Sequence, residues 1–551
     1  MNKFFKKDSI IYYIFLLYFL IGLLIYKDFG VGIEEHFQRS SGFYWLNYVL
    51  QFTDFEFIKN EVNFKISEIN NLHPNLPPVE IAQHYGVIFD LPMAFIEIIF
   101  KIDVSSDQFY LRHLINFIIF FISSSLFYFF IKKRTRITSV AIISFLFYLI
   151  SPRIFGNSFF DGKDLLFLSI VTITFYFYSK YCEKKNLLNL FLFALFSAIS
   201  TSTRIMGLFF PISFLLIGIF QFLNPNIREN ILKDLGKYFF LFIICLFVHW
   251  PYLWTIEISQ YLNFFQVFKV GSNPEVFFNG YFYNSQYLPL KYIPYWMLIS
   301  IPEIIILTFL VGIIFYIRRL FNRFILLKEK FYQNDLWRGN FERIDLFVLI
   351  SLFQIIIVYL SFNLSLYSGW RHFLFLNFFI TYFACLGVYF FIIKYKNNIK
   401  LKTLFFSFVY ICILNIIYDI YKYHPFQSVY FNNLVTDQMK RKFEVDTQSL
   451  SRTMAIKDIL KDAKKKNRVV IATASWTPLE NGRSLISTQN KERLIFIGTD
   501  NKQSADYIYS NFYYEVNPKY EEKYKIPSNF KLLKSHSVDN TLIYSIFKKI
   551  Q

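Results

Sequence analysis

Cysteine is scarce in this chain: four in 551 residues, Cys182, Cys245, Cys385 and Cys412. Three lie inside apolar runs and Cys182 lies beside a basic loop, so neither a disulfide framework nor a Cys-x-x-Cys metal site is implied. No second histidine stands at ligand spacing from His36, His249 or His424, which read as satisfied interface residues rather than metal ligands. There is no glycine-rich loop of the kind that cradles nucleotide phosphates. Lys3, Lys6 and Lys7 precede an uncharged run at 9–26, but Lys27, Asp28 and Phe29 follow it instead of a small-residue cleavage pattern. That run therefore reads as an uncleaved first span and not as a leader. No internal repeat and no disordered linker is evident.

What abounds is apolar surface. Hydrophobic residues make 55% of the chain and phenylalanine alone numbers 73, which points to a protein with several membrane spans. A helix needs about 20 apolar residues to cross a bilayer. Charge-poor runs on that scale occur at 9–26, 114–131, 137–152, 165–179, 186–203, 205–222, 238–256, 293–316, 346–362, 373–393 and 404–418. They predict a mainly α, polytopic membrane protein of about eleven spans.

The formal net charge is +19. The cations fall in short clusters between apolar runs, such as Lys132-Lys133-Arg134-Thr135-Arg136 and Arg318-Arg319 with Arg323, Lys328 and Lys330. This fits cytoplasmic loops beside anionic lipid and not nucleic-acid binding. With a cytoplasmic N-terminus, every densely basic loop falls on one side, and the C-terminus lies outside. The transmembrane domain is expected over 1–421. Its first outer loop, 27–112, carries interfacial pieces at 43–52 and 85–102. Residues 422–551 turn polar, with β-like runs at 468–474, 493–498, 506–510 and 541–547 and a helical stretch at 448–465. They predict a small extracytoplasmic α/β domain.

The stretch Asp28 to Gly42 carries Glu34, Glu35, His36, Gln38 and Arg39 directly after the first span. Such groups are costly to dehydrate at a membrane surface and usually have a task. The topology gathers others on the same side: Arg112, His113 and Asn116; Arg153, Asn157, Asp161, Lys163 and Asp164; Arg204; and Tyr367, Trp370, Arg371 and His372. A carboxylate can serve as general base on a hydroxyl. Arginine and lysine can hold a phosphate and stabilise its departure, and aromatic rings can stack on a sugar. The set suits glycosyl transfer from a lipid phosphate. The ordinary alternatives are a solvated turn for Glu34-Glu35 and snorkelling or headgroup contacts for the cations.

These residues resemble the GT-C class of polytopic glycosyltransferases, which includes protein O-mannosyltransferases and the lipid A aminoarabinose transferases. An uncharacterised bacterial branch of that class is the nearer likeness. It has segments similar to His84-Tyr85-Gly86, Arg112-His113-Leu114-Ile115-Asn116, Ser151-Pro152-Arg153-Ile154-Phe155-Gly156-Asn157, Lys163-Asp164, Gly369-Trp370-Arg371-His372 and His424-Pro425-Phe426-Gln427.

The resemblance implies Glu34, Glu35 and Asp164 as catalytic acids. It implies Arg112, Lys163 and Arg371 as ligands of the donor phosphate, and Arg204 and Arg153, on the same predicted side, are further candidates for that role. His36, Arg39, His113, Asn157, Tyr367, Trp370 and His372 would line the substrate site. The donor would be a polyprenyl-phosphate sugar. The acceptor would be lipid A, a surface glycan, a glycolipid or a protein, with inversion at the anomeric carbon. The partners are then membrane lipids and these substrates, with no nucleic acid, in a bacterial inner (plasma) membrane. No cofactor is implied with certainty: some members of the class use a divalent cation and others do not. A transporter or flippase of lipid-linked sugars is the alternative. It would place ionisable groups near the bilayer midplane, and Glu303 is the clearest charge inside a predicted span.

Overall fold

The computed structural model describes residues 9–73, 76, 77, 79, 85–222, 228–257, 273–325, 340–512 and 517–550. Lys3, Lys6, Lys7, His84, Lys328 and Lys330 lie outside the described residues, as does the side chain of Arg323.

Among the described residues, seven helices are long and apolar enough to cross a membrane. Five of these are Ser105–Thr135 (α5), Asp164–Glu183 (α8), Asn340–Ser361 (α14), Leu376–Lys394 (α15) and Ile399–Lys422 (α16). The others run over Ile205–Phe222, which contains α10 (Phe209–Phe222), and over Glu303–Asn322, which lies in α13 (Glu303–Ile325). Thr138–Ile150 (α6) and Pro152–Phe160 (α7) pass the same test as a pair bent by 63°. The bend falls at Ser151-Pro152, where proline restricts the residue before it and takes the first helical position of α7. The protein is therefore a multi-pass membrane protein.

The count is lower than the eleven runs predict, for physical reasons. Ile10–Ile25 (α1) and Leu187–Thr203 (α9) have 16 and 17 residues, which span about 24–26 Å against a hydrocarbon core of about 30 Å. Arg228–His249 (α11) has 22 residues but carries Glu229, Lys233, Asp234 and Lys237 in its first half. The run at 293–316 is broken at Pro302 into Tyr292–Ser300 (α12) and α13. Glu303 thus opens α13 and accepts the backbone N–H of Asn433 at 2.7 Å. It does not stand inside a span.

Packing follows small residues and rings. Gly312 of α13 and Gly387 of α15 let those two helices meet backbone to backbone, where a Cβ on either would overlap the other chain segment. Phe175 of α8 stacks on Phe378 of α15 at 4.2 Å, and Tyr178 on Phe347 of α14 at 3.7 Å.

At the end of the bundle that carries Glu34, three further helices lie between α1 and α5: Glu35–Leu50 (α2), Glu56–Leu72 (α3) and Asp90–Ile99 (α4). A hairpin, Glu275–Phe278 (β1) and Tyr281–Asn284 (β2), turns through Asn279 and Gly280 at φ 53° and 85°. Both residues at positive φ is what a tight two-residue hairpin turn requires.

After α16 the chain forms Ser451–Asp462 (α17) and a five-stranded sheet of Val469–Thr473 (β3), Leu494–Ile497 (β4), Tyr507–Ser510 (β5), Phe530–Val538 (β6) and Thr541–Lys549 (β7). The strand order is β4-β3-β5-β7-β6, parallel among β4, β3 and β5 and antiparallel through β7 and β6. This sheet domain holds the loop before α2. Arg452 of α17 donates to Val31 O at 2.9 Å and to Pro478 O at 3.1 Å, and the N–H of Ile33 donates to Gln448 O at 3.0 Å.

Candidate functional site

The loop 28–34 leaves α1 and enters α2 between the membrane helices and the sheet domain. Gly30 faces the Leu450 carbonyl so closely that a Cβ would overlap it. Glu34 is the residue just before the first turn of α2 and Glu35 is the first within it. That one-residue difference sends the two carboxylates to different environments. Glu35 is buried. It accepts the Gly32 N–H at 2.6 Å and a hydrogen bond from His113 Nε2 at 3.1 Å. Glu34 remains partly exposed and pairs with Arg371.

Arg371 sits in a short turn before α15. It reaches Glu34 with one guanidinium nitrogen and lies 3.1 Å from Asp164 Oδ2 with Nε. Arg204, at the end of α9, pairs with the other oxygen of Asp164. Asp164 begins α8, and the side chain of Asp161 accepts its N–H at 2.8 Å and that of Lys163 at 3.2 Å. This fixes the turn that presents Lys163. The Lys163 ammonium lies 3.4 Å from the centre of the Tyr85 ring, with Arg204 on the same ring at 5.9 Å. Among the described residues Lys163 has no carboxylate partner.

Burial pushes the Glu34 carboxyl up, but Arg371, Lys163 and Arg204 outweigh it and hold it at about 2. Burial pushes Asp161 up to about 6, with Arg371 opposing and Glu34 adding to the rise. The Tyr85 phenol is held below its usual range, chiefly by Lys163. Burial and the surrounding cations keep His372 well below the usual imidazole range. Its Nδ1 is buried without a hydrogen-bond partner among the described residues, and its ring stands edge-on to Tyr367 at 4.6 Å.

Two chambers share Glu34 and Gln38 in their linings. One, about 540 Å³ including its open mouth, is lined by Phe37, Tyr85, Val87, Phe89 and Leu166, by the polar Gln38, Ser41 and Thr203, and by Lys163 and Asp90 as its other charges. The second, about 230 Å³ counted with the open space at its mouth, is lined by Gly32, Glu34, Glu35, Gln38, Phe160, Asp161, Arg371 and Gln448.

Of the residues that the sequence suggests for the site, the structure brings together Glu34, Asp164, Lys163, Arg204, Arg371, Tyr367 and His372. The others are engaged elsewhere. Arg112 donates to Asp90 at 2.9 Å and to Glu97 at 3.5 Å, and Arg39 to Glu97 at 2.9 Å. Both are spent on neutralising α4. His36 lies against the sheet domain, donating to Asn481 O at 3.1 Å with its ring 4.2 Å from that of His73. Arg153 donates to Tyr430 O at 2.9 Å and lies over Trp296 at 5.0 Å and Phe431 at 5.4 Å. Trp370 donates to Ser300 Oγ at 2.8 Å, and Asn157 donates to Arg153 O at 2.8 Å. His113 serves Glu35.

The sequence places Gln38 and Asp161 among the polar groups on this side, and Tyr85 in a resembling segment, without giving any of them a role; Gln448 has no such signal. The Asp-Gly-Lys-Asp spacing at 161–164, with an acid three residues before a helix start, was the available signal for Asp161. Among the described residues no group of three or more His, Cys, Asp or Glu side chains is placed to hold a metal ion.

The geometry defines a class first: a multi-pass membrane protein with an acid–base cluster at one end of its helices, beside an apolar chamber. Comparison with known proteins adds a likeness over under a third of the chain. Residues 91–254 match the family model of dolichyl-phosphate-mannose-protein mannosyltransferase. The matched stretch contains Lys163, Asp164 and Arg204, while Glu34 and Arg371 lie outside it. The match bears out the resemblance to GT-C glycosyltransferases. No curated protein matches the chain. A crystal structure of ArnT from Cupriavidus metallidurans bound to undecaprenyl phosphate is similar over 97% of each chain, at 10% identity and a TM-score of 0.44, a distant likeness.

Proposed function

We propose that this chain is a membrane glycosyltransferase that moves a sugar from a polyprenyl-phosphate donor to a hydroxyl acceptor on the extracytoplasmic side, with inversion. The observation that carries the reading is Lys163: a cation that, among the described residues, has no carboxylate partner, in a chamber with apolar walls next to a carboxylate held ionised by Arg371. An unpaired ammonium in such a place is costly unless an anion arrives. A lipid phosphate supplies that anion, and the apolar walls suit its first isoprenoid units.

In this reading the donor phosphate meets Lys163, Arg204 and Arg371. It competes with Glu34 for Arg371 and so frees the carboxylate. Glu34 takes the proton of the acceptor hydroxyl while its oxygen forms a bond to the anomeric carbon. The bond from that carbon to the phosphate oxygen breaks, and polyprenyl phosphate leaves on the three cations. Glu35, locked by His113 and Gly32, positions the turn. Asp164 orients Arg204 and Arg371. The sheet domain lies outside the membrane and the basic loops inside.

The test is mass spectrometry of surface glycans and glycolipids from cells that carry the wild-type chain, Glu34→Gln or Glu35→Gln. A sugar present with wild type and absent with Glu34→Gln is the expected result. Full transfer by Glu34→Gln, at normal protein level, rejects the role given to Glu34.

A further inference from the structure

The two chambers around Glu34 differ in kind. Seven of the eight residues lining the smaller one are polar, charged or glycine, and Phe160 is the lone apolar wall. Its acids, Glu34, Glu35 and Asp161, outnumber its single cation, Arg371. Once the donor phosphate has taken up Arg371, a second anionic group would be repelled there. The amides of Gln38 and Gln448 also face it, and among the described residues neither side chain makes a hydrogen bond. Asp161 Oδ2 is buried in the same place without a partner. Two amides, each able to donate and accept, and one unused carboxylate oxygen are the complement of adjacent hydroxyl groups. Gln448 comes from the segment leading into the sheet domain, whose backbone carbonyl already holds Ile33.

We propose that this smaller chamber is the acceptor subsite, that it takes a neutral saccharide by its hydroxyl groups, and that Gln448 is a specificity-determining residue. This rests on the glycosyltransferase reading and deepens it: donor and acceptor approach Glu34 through different chambers. The apolar chamber serves the lipid phosphate, and the polar chamber presents a sugar hydroxyl to the free side of the carboxylate. A phosphorylated acceptor is excluded by charge. Gln448 ties acceptor choice to the sheet domain, since its side chain lines the subsite while its carbonyl anchors the loop that carries Glu34.

The experiment uses the full chain in detergent and saturation-transfer NMR with four probes. These are a methyl hexoside, glucose 1-phosphate, a serine- and threonine-containing hexapeptide, and farnesyl phosphate. The methyl hexoside is expected to bind at least ten-fold more tightly than glucose 1-phosphate or the hexapeptide. Gln448→Ala is expected to weaken the hexoside at least ten-fold while farnesyl phosphate stays within two-fold, which also shows that the variant is folded. Should Gln448→Ala lose both ligands, Gln448→Glu, of the same size, is judged by the same criterion. Equal hexoside binding by wild type and variant, or a preference for the phosphate or the peptide, overturns the proposal. Absence of farnesyl phosphate binding in the wild type strikes the donor reading alone, because a Gln448-dependent hexoside signal would still stand.

Discussion

At one end of α5, Arg134 grips Asp345 of α14; at the other, Arg204 and Arg371 grip Asp164 and Glu34. The ends are about 33 Å apart along the helix, from Arg112 to Arg134. The Arg134–Asp345 pair is closed. Arg134 Nε donates to Asp345 Oδ1 at 2.7 Å, a second guanidinium nitrogen meets the other oxygen, and the Tyr382 hydroxyl adds a third bond. Phe341 and Tyr389 cover the guanidinium. Three hydrogen bonds thus converge on the Asp345 carboxylate, and neither it nor Arg134 is named without a partner among the described residues. The Glu34 cluster uses the same residue types but leaves capacity over: among the described residues Lys163 has no carboxylate, Asp161 Oδ2 and His372 Nδ1 have no partners, and two chambers lie beside them. A buried ion pair is therefore no sign of function by itself. Unspent capacity beside a cavity is what separates the two ends.

The sharpest way to break that comparison is to remove the charge that faces both chambers. Glu34→Gln should lower sugar transfer by about 10²–10⁴-fold, the usual worth of a positioned general base, with the melting temperature in detergent little changed. Asp345→Ala should do the reverse. It leaves a buried guanidinium unpaired and should cost about 3–5 kcal/mol of stability, measured by thermal unfolding, with transfer per folded molecule within two-fold. The pair Arg134→Met with Asp345→Leu should recover most of that loss. If Asp345→Ala instead abolished transfer in a protein that melts normally, the two ends would not differ as described.

The sequence made the membrane class, the acidic pair and most of the cluster legible, because charged residues between apolar runs stand out and the positive-inside pattern sorts them by side. It could not tell which carboxylate faces both chambers. Glu34 and Glu35 are neighbours, and their fates part only because α2 starts between them. Nor could it show that Arg112 and Arg39 are consumed by Asp90 and Glu97, since i-to-j partners 22 and 58 residues apart leave no local pattern. The strand β6, FKLLKSHSV, escaped because it is an edge strand with most side chains exposed and no alternation to read. The Pro302 break was in the sequence, and a window of apolar residues ran over it. Gln448 carried no signal at all: an amide in a polar segment becomes notable only when the fold brings it to Glu34.

A smaller effect should follow from Lys163. Lys163→Met should weaken farnesyl phosphate about ten- to hundred-fold, the range for losing one charge-assisted hydrogen bond, and leave methyl hexoside binding within two-fold. Loss of both ligands would merge the two chambers into one site.

The smallest effect, a few-fold change in rate, concerns pH. Asp161 is held up to about 6 and Glu34 down to about 2. Glu34 thus stays ionised across the working range, and His372, kept well below the usual imidazole range, stays neutral. A rate change near pH 6 in this cluster falls to Asp161. Its ionisation adds a negative charge beside Glu34, which makes Glu34 a stronger base, so transfer should rise as pH passes upward through about 6. Stability runs the other way. A carboxyl raised in the folded state binds its proton more tightly there than when unfolded. Its contribution is full below about 3.8 and is lost as pH rises through about 6, whereas that of Glu34 is present above about 4.5 and lost towards 2. Asp161→Asn keeps the oxygen that accepts the Asp164 N–H, so the start of α8 should survive. The pH–rate profile should then lie flat at the lower level. A profile unchanged by Asp161→Asn would assign the titration to a group outside the chambers and return Asp161 to a purely local role.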